Sequence, residues 1–171
     1  MIILNGIPGS GKTSLVKSLI SECMGKFVYI PVEMVEKMMS PNVWGTFQEY
    51  KDENHPYVLI LEDADAYLSI RNKENASKIS HLLNIGDGIV GASLDIRIIA
   101  TTNATTDDID PAFLRPGRLN SLVEINSLNK EDCINFLKVK GKEHMMDQIS
   151  DKEEYTLAEL YAIVNYDANE G

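Results

Sequence analysis

Near the start of the chain, Gly6-Ile7-Pro8-Gly9-Ser10-Gly11-Lys12-Thr13 fits the pattern G-x-x-x-x-G-K-[ST]. The apolar run Ile2-Ile3-Leu4 precedes it, and Leu15, Val16, Leu19 and Ile20 follow at helical spacing. A strand that enters a glycine-rich turn and leaves it as a helix is the context this motif needs. Gly6, Gly9 and Gly11 let the backbone turn without Cβ clashes, so successive N–H groups can face inward on an anion. The positive end of the helix dipole strengthens that field. Lys12 supplies a mobile charge for the β- and γ-phosphates of a nucleotide, and the Thr13 hydroxyl can ligate Mg²⁺. Pro8 and Ser10 in the loop, and Ser14 just beyond it, are counted with the nucleotide-binding residues. Such a loop commits the chain to a phosphate-binding α/β fold.

The rest of the sequence agrees with that commitment. Apolar runs recur at 27–30, 57–61, 96–100 and 122–125, and stretches over 33–39, 44–52 and 76–83 read as helices between them. Strands separated by helices imply right-handed crossovers and a parallel, doubly wound sheet. The expectation is a five-stranded parallel sheet flanked by helices over residues 1–125. Beyond that point 130–139, 143–149 and 156–164 read as helices with no strand among them, which predicts a small helical appendage over 126–171.

The run Val58-Leu59-Ile60-Leu61 ends in Glu62-Asp63-Ala64-Asp65, so an apolar strand delivers carboxylates at its C-terminal end. In a parallel sheet that edge is where ligands bind. One acid there can hold Mg²⁺ through water, and the next can polarise an attacking water. Acids in that place can equally cap a helix starting at Ala66. The following strand runs into Thr101-Thr102-Asn103, where Asn103 can donate or accept near a γ-phosphate. An asparagine after a strand is ordinarily a turn residue. Then Asp110-Pro111-Ala112-Phe113-Leu114-Arg115-Pro116-Gly117-Arg118 brings the last two arginines of the chain, three residues apart. Surface ion pairing is the usual role of such a pair. Here it completes a four-part order: phosphate loop, acidic strand end, strand ending in Asn, paired Arg.

Composition bounds the partners. With 171 residues the chain has the length of one domain with a small addition. The formal charge of −10 argues against broad electrostatic binding to nucleic acid. No apolar run approaches membrane-spanning length, and Cys23 and Cys133 are too few for a disulfide framework or a zinc site. The expected setting is the cytosol.

In these residues the chain resembles the AAA-type ATPases, ring-forming P-loop enzymes. On that resemblance Walker A is Gly6 to Thr13, Walker B is Val58 to Asp63, sensor 1 is Asn103, and the arginine-finger segment is Asp110 to Arg118. The Glu62-Asp63 order and the stretch Ser80-His81-Leu82-Leu83-Asn84 running to Asp87-Gly88 are similar to the subgroup that includes the mitochondrial Rieske-protein translocase, and to related bacterial and phage proteins. The resemblance implies a helical lid for residues 126–171, ATP and Mg²⁺ as cofactors, and a homo-oligomeric ring, a hexamer or similar. It also implies hydrolysis coupled to remodelling or translocation of a protein substrate. Glu62 is assigned by position to Mg²⁺ and Asp63 to activation of water. Arg115 and Arg118 are assigned to a neighbouring subunit's γ-phosphate.

Two other readings keep the same nucleotide site. A small P-loop nucleoside or nucleotide kinase matches the length, although kinases place arginines in the lid and residues after Arg118 include none. An ATP-gated binding module with little hydrolysis is the other. Replacement Asp63→Asn separates the module from the ATPase: turnover measured at saturating ATP falls to background in an ATPase, whereas a module shows no Asp63-dependent phosphate release in either protein.

Overall fold

A computed structural model describes residues 1–149 and 152–166. The chain folds as two compact units, one formed by Met1–Gly6 with Thr13–Glu124, the other by Ile7–Lys12 with the chain from Ile125 onward.

In the first unit the apolar runs become β1 (Ile2–Asn5), β2 (Lys26–Tyr29), β3 (Tyr57–Leu61), β4 (Ile96–Thr102) and β5 (Ser121–Glu124). They form one parallel sheet in the order β2-β3-β4-β1-β5. Every residue of β3 is buried, as expected of a strand covered on both faces. β1 lies between β4 and β5, so the chain leaving β1 and the chain leaving β4 go to opposite sides of the sheet. In open α/β sheets the crevice above such a reversal is the ligand site.

Helix α1 (Lys12–Glu22) follows the phosphate loop, and α2 (Pro41–Glu49), α3 (Asp65–Leu68), α4 (Ala76–Asp87) and α5 (Ile89–Ser93) complete the unit. α4 turns Ile79, Leu82 and Ile85 into the core, where they join Ile3, Leu59, Leu61, Ile98 and Phe113. The stretch 33–39 is two 3-10 turns, Val32–Met34 and Glu36–Met39, rather than a helix. Pro31 and Pro41 bracket it, and Pro41 holds Ser40 extended, so the stretch cannot run on as a helix into α2. Pro41 instead starts α2 three residues before the expected boundary, a position where its missing N–H costs nothing.

The second unit contains α6 (Lys130–Val139), a 3-10 helix (Glu143–Ile149) and α7 (Leu157–Tyr166). It also contains a pair the sequence did not predict: β6 (Leu128–Asn129) and β7 (Glu154–Tyr155) run antiparallel, Leu128 opposite Tyr155. Two-residue strands carry no periodicity, which is why the stretch reads as all-helical. Cys133, Leu137, Met145, Ile149, Tyr155 and Leu160 make this unit's own core. Among the described residues no helix is long and apolar enough to cross a membrane.

Phe113, in the segment that carries Asp110 and Arg115, is fully buried in the core of the first unit. Phe113→Ala is expected to cost about 3–5 kcal/mol in denaturant unfolding, against a few tenths for Val139→Ala at an exposed site.

Candidate active site

The carboxylates at the end of β3 are stitched to the end of β4. Asp63 has φ 50°, a left-handed conformation that aspartate tolerates better than most residues. Its N–H donates to Thr101 Oγ1 (3.0 Å), and the Ala64 N–H donates to the Thr101 carbonyl (2.9 Å). Asp65 Oδ1 then accepts from the Thr102 hydroxyl (2.8 Å) and from the Asn103 N–H (2.9 Å). Thr102 Oγ1 in turn accepts from the Ala104 N–H (3.0 Å). Thr101 and Thr102 are buried, while Asp63 and Asn103 are exposed at the edge. The structure therefore brings Glu62, Asp63 and Asn103 to one sheet edge and holds their backbones in fixed relation.

Glu62 sits beside them with Oε1 buried and without a hydrogen-bond partner among the described residues. A buried carboxylate oxygen left this way is costly, and a hydrated divalent cation would satisfy it. The oxygen chemistry of Glu62 and of the exposed Thr13 hydroxyl is the hard donor set that suits Mg²⁺. At the neighbouring strand end Asn5, also buried, donates to Thr106 Oγ1 (3.4 Å), which donates to Glu124 Oε1 (2.8 Å). Asn5 Oδ1 has no partner among the described residues.

The phosphate loop leaves β1 at Gly6, whose N–H donates to the Thr102 carbonyl (3.3 Å). Within the loop the Ser10 N–H donates to the Ile7 carbonyl (3.2 Å), and so does the buried Lys12 ammonium (3.0 Å). Ser10 Oγ is buried and unpartnered among the described residues. Gly9 and Gly11 have φ of 79° and 113°, and a Cβ on Gly11 would meet Leu157 Cδ2 at 2.8 Å. The loop packs against the start of α7, where the Ala158 N–H donates to the Gly9 carbonyl (3.0 Å). That helix start is a reciprocal cap. Glu159 accepts from the Thr156 N–H (2.8 Å) while its own N–H donates to Thr156 Oγ1 (3.3 Å). Thr13 and Ser14 are exposed at the beginning of α1, and Pro8 is exposed in the loop.

Asp110 organises the arginine segment. It is buried, accepts from the Arg71 N–H (3.0 Å) and the Ala112 N–H (2.8 Å), and donates its own N–H to the Leu68 carbonyl (2.7 Å). Gly117 turns the chain at φ 88°. Arg118 is held within its own unit, by an ion pair with Asp87 and by donation from Nη1 to the Ala112 carbonyl (2.9 Å). The Arg115 side chain is exposed and makes no hydrogen bond or ion pair among the described residues.

The sequence profile of the ATPase family associated with various cellular activities (AAA) matches residues 2–127. The chain belongs to this AAA family. A proteasome-activating nucleotidase of Methanococcus maripaludis is 30% identical over 168 residues, 92% of this chain and 41% of the relative. A 26S proteasome regulatory subunit 6B homolog of Aspergillus niger is 32% identical over 160 residues, 86% and 37%. A cell division control protein 48 homolog B of Arabidopsis thaliana is 28% identical over 158 residues, 85% and 26%. The chain spans about two fifths or less of the length of these relatives. Membership of the AAA family displaces the nucleotide-kinase reading.

Two polar residues at the strand ends, Asp65 and Asn5, carry no signal in the sequence. Asp65 stood in view as one more acid after the strand, and Asn5 as the one polar residue ending an apolar run, but neither type has a motif spacing of its own. Asp65→Ala is expected to lower turnover about 10- to 100-fold by loosening Asn103, with ATP affinity changed less than about threefold in a titration. The cap at α7 has a pH signature. The Lys152 ammonium and the Thr156 N–H hold the Glu159 carboxyl down at about 2, below its ordinary 4.5. Its stabilising effect is complete above 4.5 and is lost as pH falls through about 2. The melting temperature of Glu159→Gln should thus lie below wild type at neutral pH, and the gap should close across that window.

Proposed function

We propose that this AAA chain hydrolyses ATP with Mg²⁺ at the C-terminal edge of its sheet, within a homo-oligomeric ring in the cytosol, and acts on protein substrates. The observation that carries the reading is the β3–β4 edge, where a buried oxygen of Glu62 with no partner among the described residues stands next to the stitched Asp63 and Asn103. The backbone of Gly6 to Thr13 and the Lys12 ammonium take the phosphates, with Pro8, Ser10 and Ser14 lining the loop and helix start. Thr13 and Glu62 would hold Mg²⁺, which would supply charge neutralisation for the phosphates. The Asp63 carboxylate accepts the proton of a water whose oxygen bonds to the γ-phosphorus as the bond to the bridging oxygen breaks. Asn103 orients that water through its amide.

Residues 126–171 act as the lid of this site and residues 1–125 as its core. Leu157 and Ala158 pack on Gly11 and Gly9, so α7 lies directly against the phosphate loop. Arg115, uncommitted among the described residues, reaches the γ-phosphate bound by a neighbouring copy, and Arg118 exchanges Asp87 for the same phosphate when the ring, a hexamer or similar, closes. The proteasome named in the relatives' descriptions supports a polypeptide as the substrate.

ATP hydrolysis per chain should rise with protein concentration across the range where subunits associate. Arg115→Ala should still bind ATP while losing about 10³-fold or more in turnover. Activity per chain that is flat with concentration and unchanged in the variant would remove the trans assignment.

A further inference from the structure

The chain has four arginines, and three of them line one pocket. Arg71, Arg115 and Arg118 surround a polar cavity of about 370 Å³ floored by Asp110, with Ser80 and Asn84 of α4 on its wall. The fourth, Arg97, is exposed and paired with Asp95. In a chain with twelve lysines and 26 acids this convergence is selective for one side chain. A guanidinium is a planar fork that takes two oxygens of one phosphate, which an ammonium cannot do.

Arg71 is built to stay there. Its N–H donates to Asp110 Oδ2, the preceding Ile70 N–H donates to the Asp108 carbonyl (2.8 Å), and the buried Asn75 side chain donates to the carbonyls of Ser69 (3.3 Å) and Ile70 (3.2 Å). The loop that offers Arg71 is thus clamped to the segment that offers Arg115 and Arg118. The side chain itself is loosely held. Its Nε is 3.6 Å from Asp110 Oδ2, and it is 45% exposed, a geometry in which an ion pair contributes little. Asp110 accepts from two backbone N–H groups and Asp87 pairs with Arg118, so three guanidiniums against these two carboxylates leave an excess of positive charge at the pocket of a strongly acidic protein.

We infer that Arg71 is a third arginine of the intersubunit site, which binds phosphate oxygens of the nucleotide held by a second copy of this chain. The inference rests on the ring reading above and adds a residue to it. Asp110 holds the Arg71 backbone, so Arg71→Ala keeps the loop clamp while removing the fork. Turnover should fall about 10- to 100-fold in Arg71→Ala, with ATP binding retained, and Arg71→Lys should recover little of it.

Complementation decides whether the effect is in trans. Arg71→Ala is mixed in equal amounts with Lys12→Ala, which offers all three arginines but holds no nucleotide itself. Arg115→Ala mixed with Lys12→Ala is the control. Random assembly places a Lys12→Ala neighbour beside half of the Arg71→Ala chains, so activity should return to about a quarter of wild type per total chain. Recovery in both mixtures supports the inference. Recovery in the Arg115 mixture alone overturns it and leaves the ring intact. Recovery in neither overturns the ring reading and the inference with it, and wild-type turnover in Arg71→Ala alone also overturns it.

Discussion

The hydrogen bonds that join residues 63–65 to residues 101–103 are the constraint on which the rest of the site depends. Two strands of a parallel sheet end side by side, and beyond their last ladder bonds each would fray into solvent. Here Asp63 and Ala64 donate to Thr101, and Asp65 accepts from Thr102 and Asn103. The ladder is prolonged by side chains where it would otherwise stop, so a carboxylate and an amide stand at fixed places on an exposed edge. Preorganisation of this kind is what electrostatic catalysis requires. Because Gly6 is tied to the Thr102 carbonyl, the beginning of the phosphate loop is anchored to the same strand end.

The order of the two acids has a local reason. The residue after Glu62 must turn the chain from strand into α3, and it does so at positive φ. Aspartate is among the few residues other than glycine that occupy this region readily, because its short side chain can bond locally. The same turn leaves the Asp63 carboxylate exposed while Glu62 keeps a buried oxygen. On the proposed reading the exposed carboxylate meets water and the buried oxygen meets a cation, a difference in placement that follows from the backbone turn at Asp63.

Much of this was legible in the sequence. Periodicity located all five strands, and the buried run 57–61 was bounded to the residue, because a strand covered on both faces is apolar throughout. The phosphate loop was legible because its glycines answer to backbone geometry that tolerates little else. What escaped was whatever depends on pairing at a distance. The β6–β7 pair has two residues on each side and no pattern. Asp65 acts through strand β4, thirty-seven and thirty-eight positions away, which spacing alone does not reveal. The partner of Arg118, Asp87 at the end of α4, lies thirty-one positions upstream and has no signal in the spacing. The stretch 33–39 has helical composition, but Pro31 and Pro41 on either side of it leave two 3-10 turns.

The most direct test of this account is the Mg²⁺ dependence of ATP binding in Glu62→Ala beside the wild type, read by calorimetric titration with and without Mg²⁺. If Glu62 holds the cation, the wild type binds ATP more tightly with Mg²⁺, and Glu62→Ala loses most of that difference while its metal-free affinity is retained. An unchanged Mg²⁺ effect in Glu62→Ala would contradict the assignment of the strand edge as the metal-bearing side of the site.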